Sequence, residues 1–190
     1  MANSNTPFGF RPVGTISGSK WVGSVQKFPV DASNGTAIGI GSAVILEDDG
    51  NCGSAPAGGD ILGVCVGVVV NNAVAGTVHP GYLPASTAGT ILVSVGSDVL
   101  YEVQEDSAGG AMVAGNVGSN GDLVVGAVST VTGVSAMTLD SSDVIAKDAT
   151  PGSAQFRVWA LSPKVGNEVG NYAKWLVRIN ENQTVTTTGL

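Results

Sequence analysis

The feature that most constrains the fold is the excess of β-branched residues over leucine, combined with frequent glycines. The chain of 190 residues contains 29 Val and 8 Ile against 10 Leu, with 14 Thr and 28 Gly. β-branched side chains pack well on pleated strands and lose rotamer freedom in helices. Glycine supplies the turns and bulges between strands. The sequence therefore predicts an all-β fold, built as a single β-sandwich or a small β-barrel domain.

Short apolar runs separated by turn signals locate the strands. The turn signals include Asn34-Gly35, Asp49-Gly50 and Asn120-Gly121-Asp122, and such spacing is typical of a sandwich or barrel. Residues 140–147 begin with capping residues and end with a base, which predicts one or two helical turns. The predicted strands are Ser24–Val30, Ala43–Glu47, Ile61–Val70, Thr90–Val95, Val99–Glu105, Leu123–Ser129, Val134–Leu139, Phe156–Leu161 and Ala173–Asn180.

The ends of the chain differ from its middle in composition. Residues 1–22 are predicted to form an extended N-terminal arm, residues 23–181 the β domain, and residues 182–190 a tail or edge strand. Within the arm, two prolines and a glycine surround Phe8 and Phe10, so neither a helix nor a central strand is expected there. Two interpretations stay open: the two rings fold back onto their own domain, or the arm grips a neighbouring subunit.

Charge is strongly segregated along the sequence. Between Phe28 and Ala146 there is no Lys or Arg but there are twelve carboxylates, so this middle carries about −12 and the two ends together about +5, giving the net charge of −7. Such a charge distribution gives a protein a field with direction, able to dock one side on an acidic partner. The basic residues are Arg11, Lys20, Lys27, Lys147, Arg157, Lys164, Lys174 and Arg178.

The small number of charges indicates assembly with other chains. Only 12% of residues are charged, whereas about 25% is usual for a soluble domain. A β protein with so few charges has difficulty protecting its sheet edges and apolar patches. Burial against copies of itself is one remedy, and a solvent face rich in Ser, Thr, Asn and Gly is the other explanation.

Several function classes are disfavoured. The chain is acidic, with a pI near 4.4, and its bases do not alternate with aromatic residues, which argues against nucleic-acid binding. The longest apolar run, residues 61–70, is too short for a membrane span. The first residues lack a secretion signal, so we expect synthesis in a cytoplasm.

No cofactor or metal site is predicted. His79 is the only histidine and lies in a loop, and no nucleophile-elbow pattern surrounds a serine, so an enzyme is the weak hypothesis. The oxygen ligands of Glu47-Asp48-Asp49, with Asn51 and Asp60, could bind Ca²⁺, but a solvated acidic turn is the better interpretation. Cys52 and Cys65 are expected to be free thiols in a reducing compartment.

Two segments resemble a known family. The start, Asn5-Thr6-Pro7-Phe8-Gly9-Phe10-Arg11-Pro12-Val13-Gly14, resembles the opening of many small structural proteins of tailed bacteriophages. The end, Gln155-Phe156-Arg157-Val158 followed by Tyr172-Ala173-Lys174-Trp175-Leu176-Val177-Arg178-Ile179-Asn180-Glu181, is similar to their closing strands. The resemblance covers about a third of the chain, and the family consists of capsid cement, head decoration and minor structural proteins.

The resemblance implies a structural virion protein that binds the outer surface of a phage capsid and stabilises contacts between capsomers. The partners that it implies are the major capsid protein and further copies of the chain, which would form a homotrimer. It implies no catalytic residues. Beside it we place two hypothetical sets of contact residues. The hypothetical capsid contacts are Phe8, Phe10, Arg11, Lys20, Trp21 and Lys27. The hypothetical oligomer interface is Trp159, Trp175 and Arg178. For the two tryptophans, burial in the core is the simpler interpretation. The acidic middle is expected to face solvent.

Two other functions stay open. One is a receptor- or glycan-binding module on a virion surface, for which Gly-, Ser- and Asn-rich loops with Tyr82 and Tyr101 could contact sugar. The other is a major capsid subunit, although the chain is short for that role and shows no long helix. A cell-wall hydrolase ranks last.

Overall fold

A computed structural model of the chain describes residues 3–69, 81–146 and 154–185 and shows an all-β fold. Two five-stranded antiparallel sheets form a β-sandwich, and a short two-stranded ribbon, β9–β10, accompanies them. The first sheet has the order β1-β7-β12-β11-β8 and the second has the order β2-β6-β5-β3-β4. The strands are β1 Arg11–Thr15, β2 Gln26–Val30, β3 Ala43–Leu46, β4 Cys52–Ser54, β5 Gly63–Val69, β6 Gly89–Val95, β7 Val99–Gln104, β8 Asn120–Gly121, β9 Leu123–Val124, β10 Thr138–Leu139, β11 Phe156–Leu161 and β12 Lys174–Ile179; the helix α1 is Ser141–Ala146.

The main core lies between the two sheets. Alternate residues of β12 point into it, so Trp175, Val177 and Ile179 are fully buried while the residues between them are half-buried. Strand β11 alternates in the same way at its start, with Phe156 and Val158 inside. This period of two is the geometry of a strand with one face on a core.

A second core covers the other face of the second sheet. It contains nine buried apolar residues, among them both cysteines. The two thiols are free and buried on β4 and β5, the strands on either side of β3. The expectation of free thiols is confirmed, and burial raises the pKa of each to about 12, so both stay protonated at neutral pH. The second-core residues are Val30, Ile38, Val44, Cys52, Leu62, Cys65, Leu83, Ile91 and Val93.

The N-terminal aromatic motif is part of the domain. Phe10 is 1% exposed and its ring stacks on that of Phe156, with centroids 4.3 Å apart. Gly9 has a φ of +70° and lies so close to the backbone of Gly41 that a Cβ at either position would collide with the other segment. Of the two open interpretations, folding back onto the domain is confirmed for Phe10, whose ring fills the core. The end of the predicted arm is a strand, β1, which pairs with β7.

Most strand predictions are confirmed. The observed strands that were not predicted are short segments that form strands because a neighbouring strand pairs with them. Strands β1, β4 and β8 were not predicted, and the Asn120-Gly121 pair, predicted as a turn, forms β8 against β11. The helix at 140–147 is observed as α1. Beyond β12, Asn182 forms a parallel bridge to Ile61, so the start of the predicted tail lies on the second sheet.

Candidate interaction surface

The outer face of the first sheet collects basic side chains from both ends of the sequence. Strand register places Arg11 opposite Glu102, Glu102 opposite Leu176, and Arg178 opposite Arg157. Directly paired residues lie on the same face of a sheet, and the core-facing residues of β11 and β12 point the other way. We call this surface the basic face and define it by Arg11, Glu102, Arg157, Lys174, Leu176 and Arg178.

Two further lysines lie beside the basic face, so it gathers six of the eight basic residues of the chain. Lys20 follows β1 and Lys164 follows β11, and both line the same groove. Lys27 is the exception among the described lysines, because it lies on β2 in the second sheet. The fold thus brings together on one surface most of the positive charge that the sequence carries near its two ends.

The β11 side of the basic face carries two directly opposed arginines next to an exposed tryptophan. Arg157 pairs with Arg178 across β11 and β12, and like charges in this position destabilise a sheet. Trp159 is 41% exposed and sits where a bulge interrupts the β11–β12 register. Arginine and tryptophan are the residues that most often anchor protein interfaces. Of the three predicted interface residues, Trp159 and Arg178 therefore lie at this surface.

Trp175 does not belong to the surface. It is 0% exposed in the main core, so its assignment to an oligomer interface is wrong and the simpler core interpretation is confirmed. Its place in the alternation of β12 is the reason, because odd positions of that strand face inward.

The β1 side of the basic face contains a groove of about 380 Å³. Its floor is mainly apolar, and Glu102 lies in it, 1% exposed. The carboxylate of Glu102 accepts a hydrogen bond from the Ser162 hydroxyl at 2.5 Å and forms an ion pair with Lys164, whose side chain is half exposed. The lining residues are Val13, Gly14, Thr15, Gly18, Ser19, Lys20, Leu100, Glu102, Ser162, Pro163, Lys164 and Leu176.

The three aromatic residues among the predicted capsid contacts differ in how deeply they are buried. Phe8 is half-buried under two cations, with the Arg11 guanidinium 4.8 Å and the Lys164 ammonium 5.5 Å from its ring centre. Trp21 packs against the main core, and its backbone N–H donates to the Val13 carbonyl. Phe10 is a core residue, so it is not available for contact with a partner.

The acidic middle is not uniformly exposed. Glu102 and Glu105 are both buried, so the expectation that this part of the sequence faces solvent is wrong at these two positions. Glu105 accepts a hydrogen bond from the backbone N–H of Met112 at 2.8 Å, and burial raises its pKa. Both carboxylates hold loops onto the first sheet.

The exposed carboxylates include a cluster on the second sheet. Glu47, Asp48 and Asp49 form the turn between β3 and β4, and Asp31 follows β2. Slight burial, with Asp49 and Asp31 nearby, raises the pKa of Glu47, whereas hydrogen bonds from Asn51 lower that of Asp49. Within the described residues no group of three or more His, Cys, Asp or Glu is arranged to hold a metal ion.

Two other residues that the sequence analysis singled out are Tyr101 and His79. Tyr101 is 0% exposed and its hydroxyl donates to the Ser94 carbonyl at 2.9 Å, so it is not available to contact a sugar. His79 lies outside the described residues. None of the described helices has the length and apolar character needed to span a bilayer.

The fold and this surface define an antiparallel β-sandwich with a basic, aromatic-bearing sheet face. No protein-family model, curated protein or solved structure matches the chain. Sequence reasoning had not selected Arg157, Lys164 or Lys174 as site residues. The alternation of charged with apolar residues in β11 and β12 was the signal that could have found the first and the last of these.

Proposed function

We propose that this protein is a structural virion protein that binds the outer surface of a phage capsid and stabilises contacts between capsomers. The observation that carries the proposal is the pair Arg157 and Arg178, directly opposed beside the exposed Trp159. Two arginines in this position repel each other in the free chain, and a partner carboxylate placed between them removes that cost. Arginine binds carboxylates through two parallel hydrogen bonds, which adds geometric specificity.

The partner in this proposal is the major capsid protein, contacted through acidic side chains on its outer surface. Trp159 supplies the apolar anchor and the arginines supply the charge. The acidic turn between β3 and β4 then belongs to the sheet that does not carry the contact, where its charge keeps decorated particles apart.

The chain acts as a homotrimer in this proposal. Each copy brings one basic face, and linking three weak contacts raises the overall affinity through effective concentration. A weak contact per copy is therefore sufficient to hold the assembly on the particle. Sedimentation velocity of the purified chain tests this part, and a monomer at micromolar concentration contradicts it.

The test of capsid binding uses heads assembled without this chain, from the phage that encodes it, and measures bound protein by co-sedimentation. Arg157→Glu is expected to weaken binding about ten-fold or more, since truncating an anchoring arginine costs on the order of 2 kcal/mol. Lys27→Glu is the matched control, because it makes the same change of charge at an exposed position on the second sheet.

A second pair of variants separates the apolar contribution from the charge. Trp159→Ser should reduce occupancy, whereas Val165→Ser, at a fully exposed position in the loop after β11, should not. Raising the salt concentration should weaken attachment modestly, since exposed ion pairs are screened. Failure of the unmodified protein to bind heads, or equal binding by the Arg157 and Lys27 variants, would reject the proposal.

A further inference from the structure

The groove beside β1 has the chemistry of a binding site for a short peptide segment. Its floor is formed by the apolar side chains of Val13, Leu100 and Leu176. Two lysines also line it, Lys20 after β1 and Lys164 after β11. An apolar floor with a few polar groups that fix orientation is the usual construction of a ligand site, and 380 Å³ lies at the small end of the common range of about 300–1,000 Å³.

The charge of the groove favours an anionic ligand. Glu102 is the one carboxylate among the described residues that line the groove, and its two oxygens are already bound by Ser162 and Lys164. Lys20 is exposed and makes no hydrogen bond or ion pair with any residue that the structure describes. The groove therefore has one ammonium group held in place by Glu102 and a second that is free to pair with a ligand.

The lining favours two other ligand classes less. The described residues that line the groove include no aromatic ring, whereas sites for sugars and for single-stranded nucleic acids commonly stack their ligands on aromatic faces. The buried carboxylate of Glu102 would also repel the phosphate groups of a nucleic acid. The features that remain are aliphatic contact area and a positive rim.

We propose that this groove binds an extended peptide segment in which a carboxylate side chain is flanked by aliphatic side chains. The aliphatic groups lie on Leu100 and Leu176, and the carboxylate pairs with Lys20. This inference rests on the proposed function for its biological partner, an acidic segment of the capsid surface, and it names the chemistry of that segment. It concerns the β1 side of the basic face, away from the arginine pair.

The test uses the full chain in isolation, titrated with the capped peptide Ser-Leu-Asp-Leu-Ser and followed by amide chemical shifts. We expect saturable shifts at Gly14, Gly18 and Ser19. The peptide with Asn in place of Asp, and the peptide with both Leu replaced by Ser, should each bind more weakly. Binding of butyrate as tightly as of the peptide would overturn the assignment to a peptide, as would shifts that do not saturate or that occur elsewhere.

Matched variants test the two contacts separately. Lys20→Gln should weaken peptide binding about two- to five-fold, the range expected for an exposed ion pair, whereas Lys27→Gln should leave it unchanged. Val13→Thr should weaken binding, and Val25→Thr should not; both valines are 38% exposed, but only Val13 lines the groove. Equal effects within either pair would refute the proposal. Since no capsid is present, failure here leaves the head-binding result standing, and the reverse also holds.

Discussion

Replacing Phe10 tests the central structural finding, that the N-terminal aromatic motif belongs to the core of the sandwich. The ring is 1% exposed and stacks on Phe156 with an interplanar angle of 13°. Phe→Ala in a core costs about 3–5 kcal/mol through lost burial and the cavity left behind. Against a total stability of about 5–15 kcal/mol for a typical domain, this is a large loss.

Urea unfolding, followed by far-UV circular dichroism, measures the effect. With a slope of about 2 kcal/mol per molar urea, Phe10→Ala should lower the unfolding midpoint by about 1.5–2.5 M. Phe10→Leu keeps most of the apolar volume and should cost less than about 1.5 kcal/mol, which leaves a measurable transition if the alanine variant does not fold. The matched control is Phe8→Ala, because Phe8 is half-buried and contacts Arg11 and Lys164 at the surface; it should cost about 0.5–1 kcal/mol.

The result that would refute this reasoning is equal midpoints for Phe10→Ala and Phe8→Ala. Both rings would then contribute alike, as expected for an arm that does not pack on its own domain. A large loss for Phe10 alone would instead mean that deletion of residues 1–14 cannot serve as a test of capsid binding. Such a deletion removes a core ring and four of the five residues of β1, so a loss of binding would report unfolding.

Two further predictions concern charge. Arg157→Gln removes the like-charge pair with Arg178 and should raise the free energy of unfolding by about 0.2–1 kcal/mol at low salt, with the gain shrinking in high salt; a loss of stability would show that the pair is already compensated within the chain. Burial raises the pKa of Glu105 in the folded state, so its contribution to stability is present below the unfolded pKa of about 4.3 and is lost as the pH rises through the folded value. The cost of Glu105→Gln should therefore be largest near pH 4 and smaller at pH 7 in paired denaturation curves. A cost that grows with pH would show that the hydrogen bonds to this carboxylate outweigh its desolvation.

The fold class could be predicted because the β-branched residues and glycines act locally. Strands such as β5, β7 and β12 are long apolar or alternating runs, and their signal does not depend on distant residues. Strand β8 is different, since Asn120-Gly121 has the sequence of a turn and becomes a strand only because β11 offers it a partner. Strand β1 was not predicted because it contains a proline, Pro12, which argues against a central strand. Its Pro12 is tolerated because β1 lies at the end of the sheet order, where proline is acceptable.

The candidate site was predictable in part. The concentration of bases near the chain ends is visible in the sequence, but their convergence on one face requires the register of β11, β12, β7 and β1. The burial of Glu102 was not predictable, because it depends on Ser162 and Lys164, 60 and 62 residues away. Without knowledge of such partners, a glutamate in a strand is predicted to face solvent, because glutamate is rarely buried unless it is paired.

Segments from the two ends of the chain supply three of the five strands of the first sheet, β1, β11 and β12. Their inward residues, Phe10 from the first and Phe156 from the second, stack on each other in the core. Their outward residues, Arg11 and Arg157, lie on the basic face. Because strands alternate between the two faces, the inward residues that build the core also fix where the outward charges of the same strand lie. Substitution of the outward arginines should therefore affect binding without unfolding, whereas substitution of the inward rings should lower stability first and binding only as a consequence.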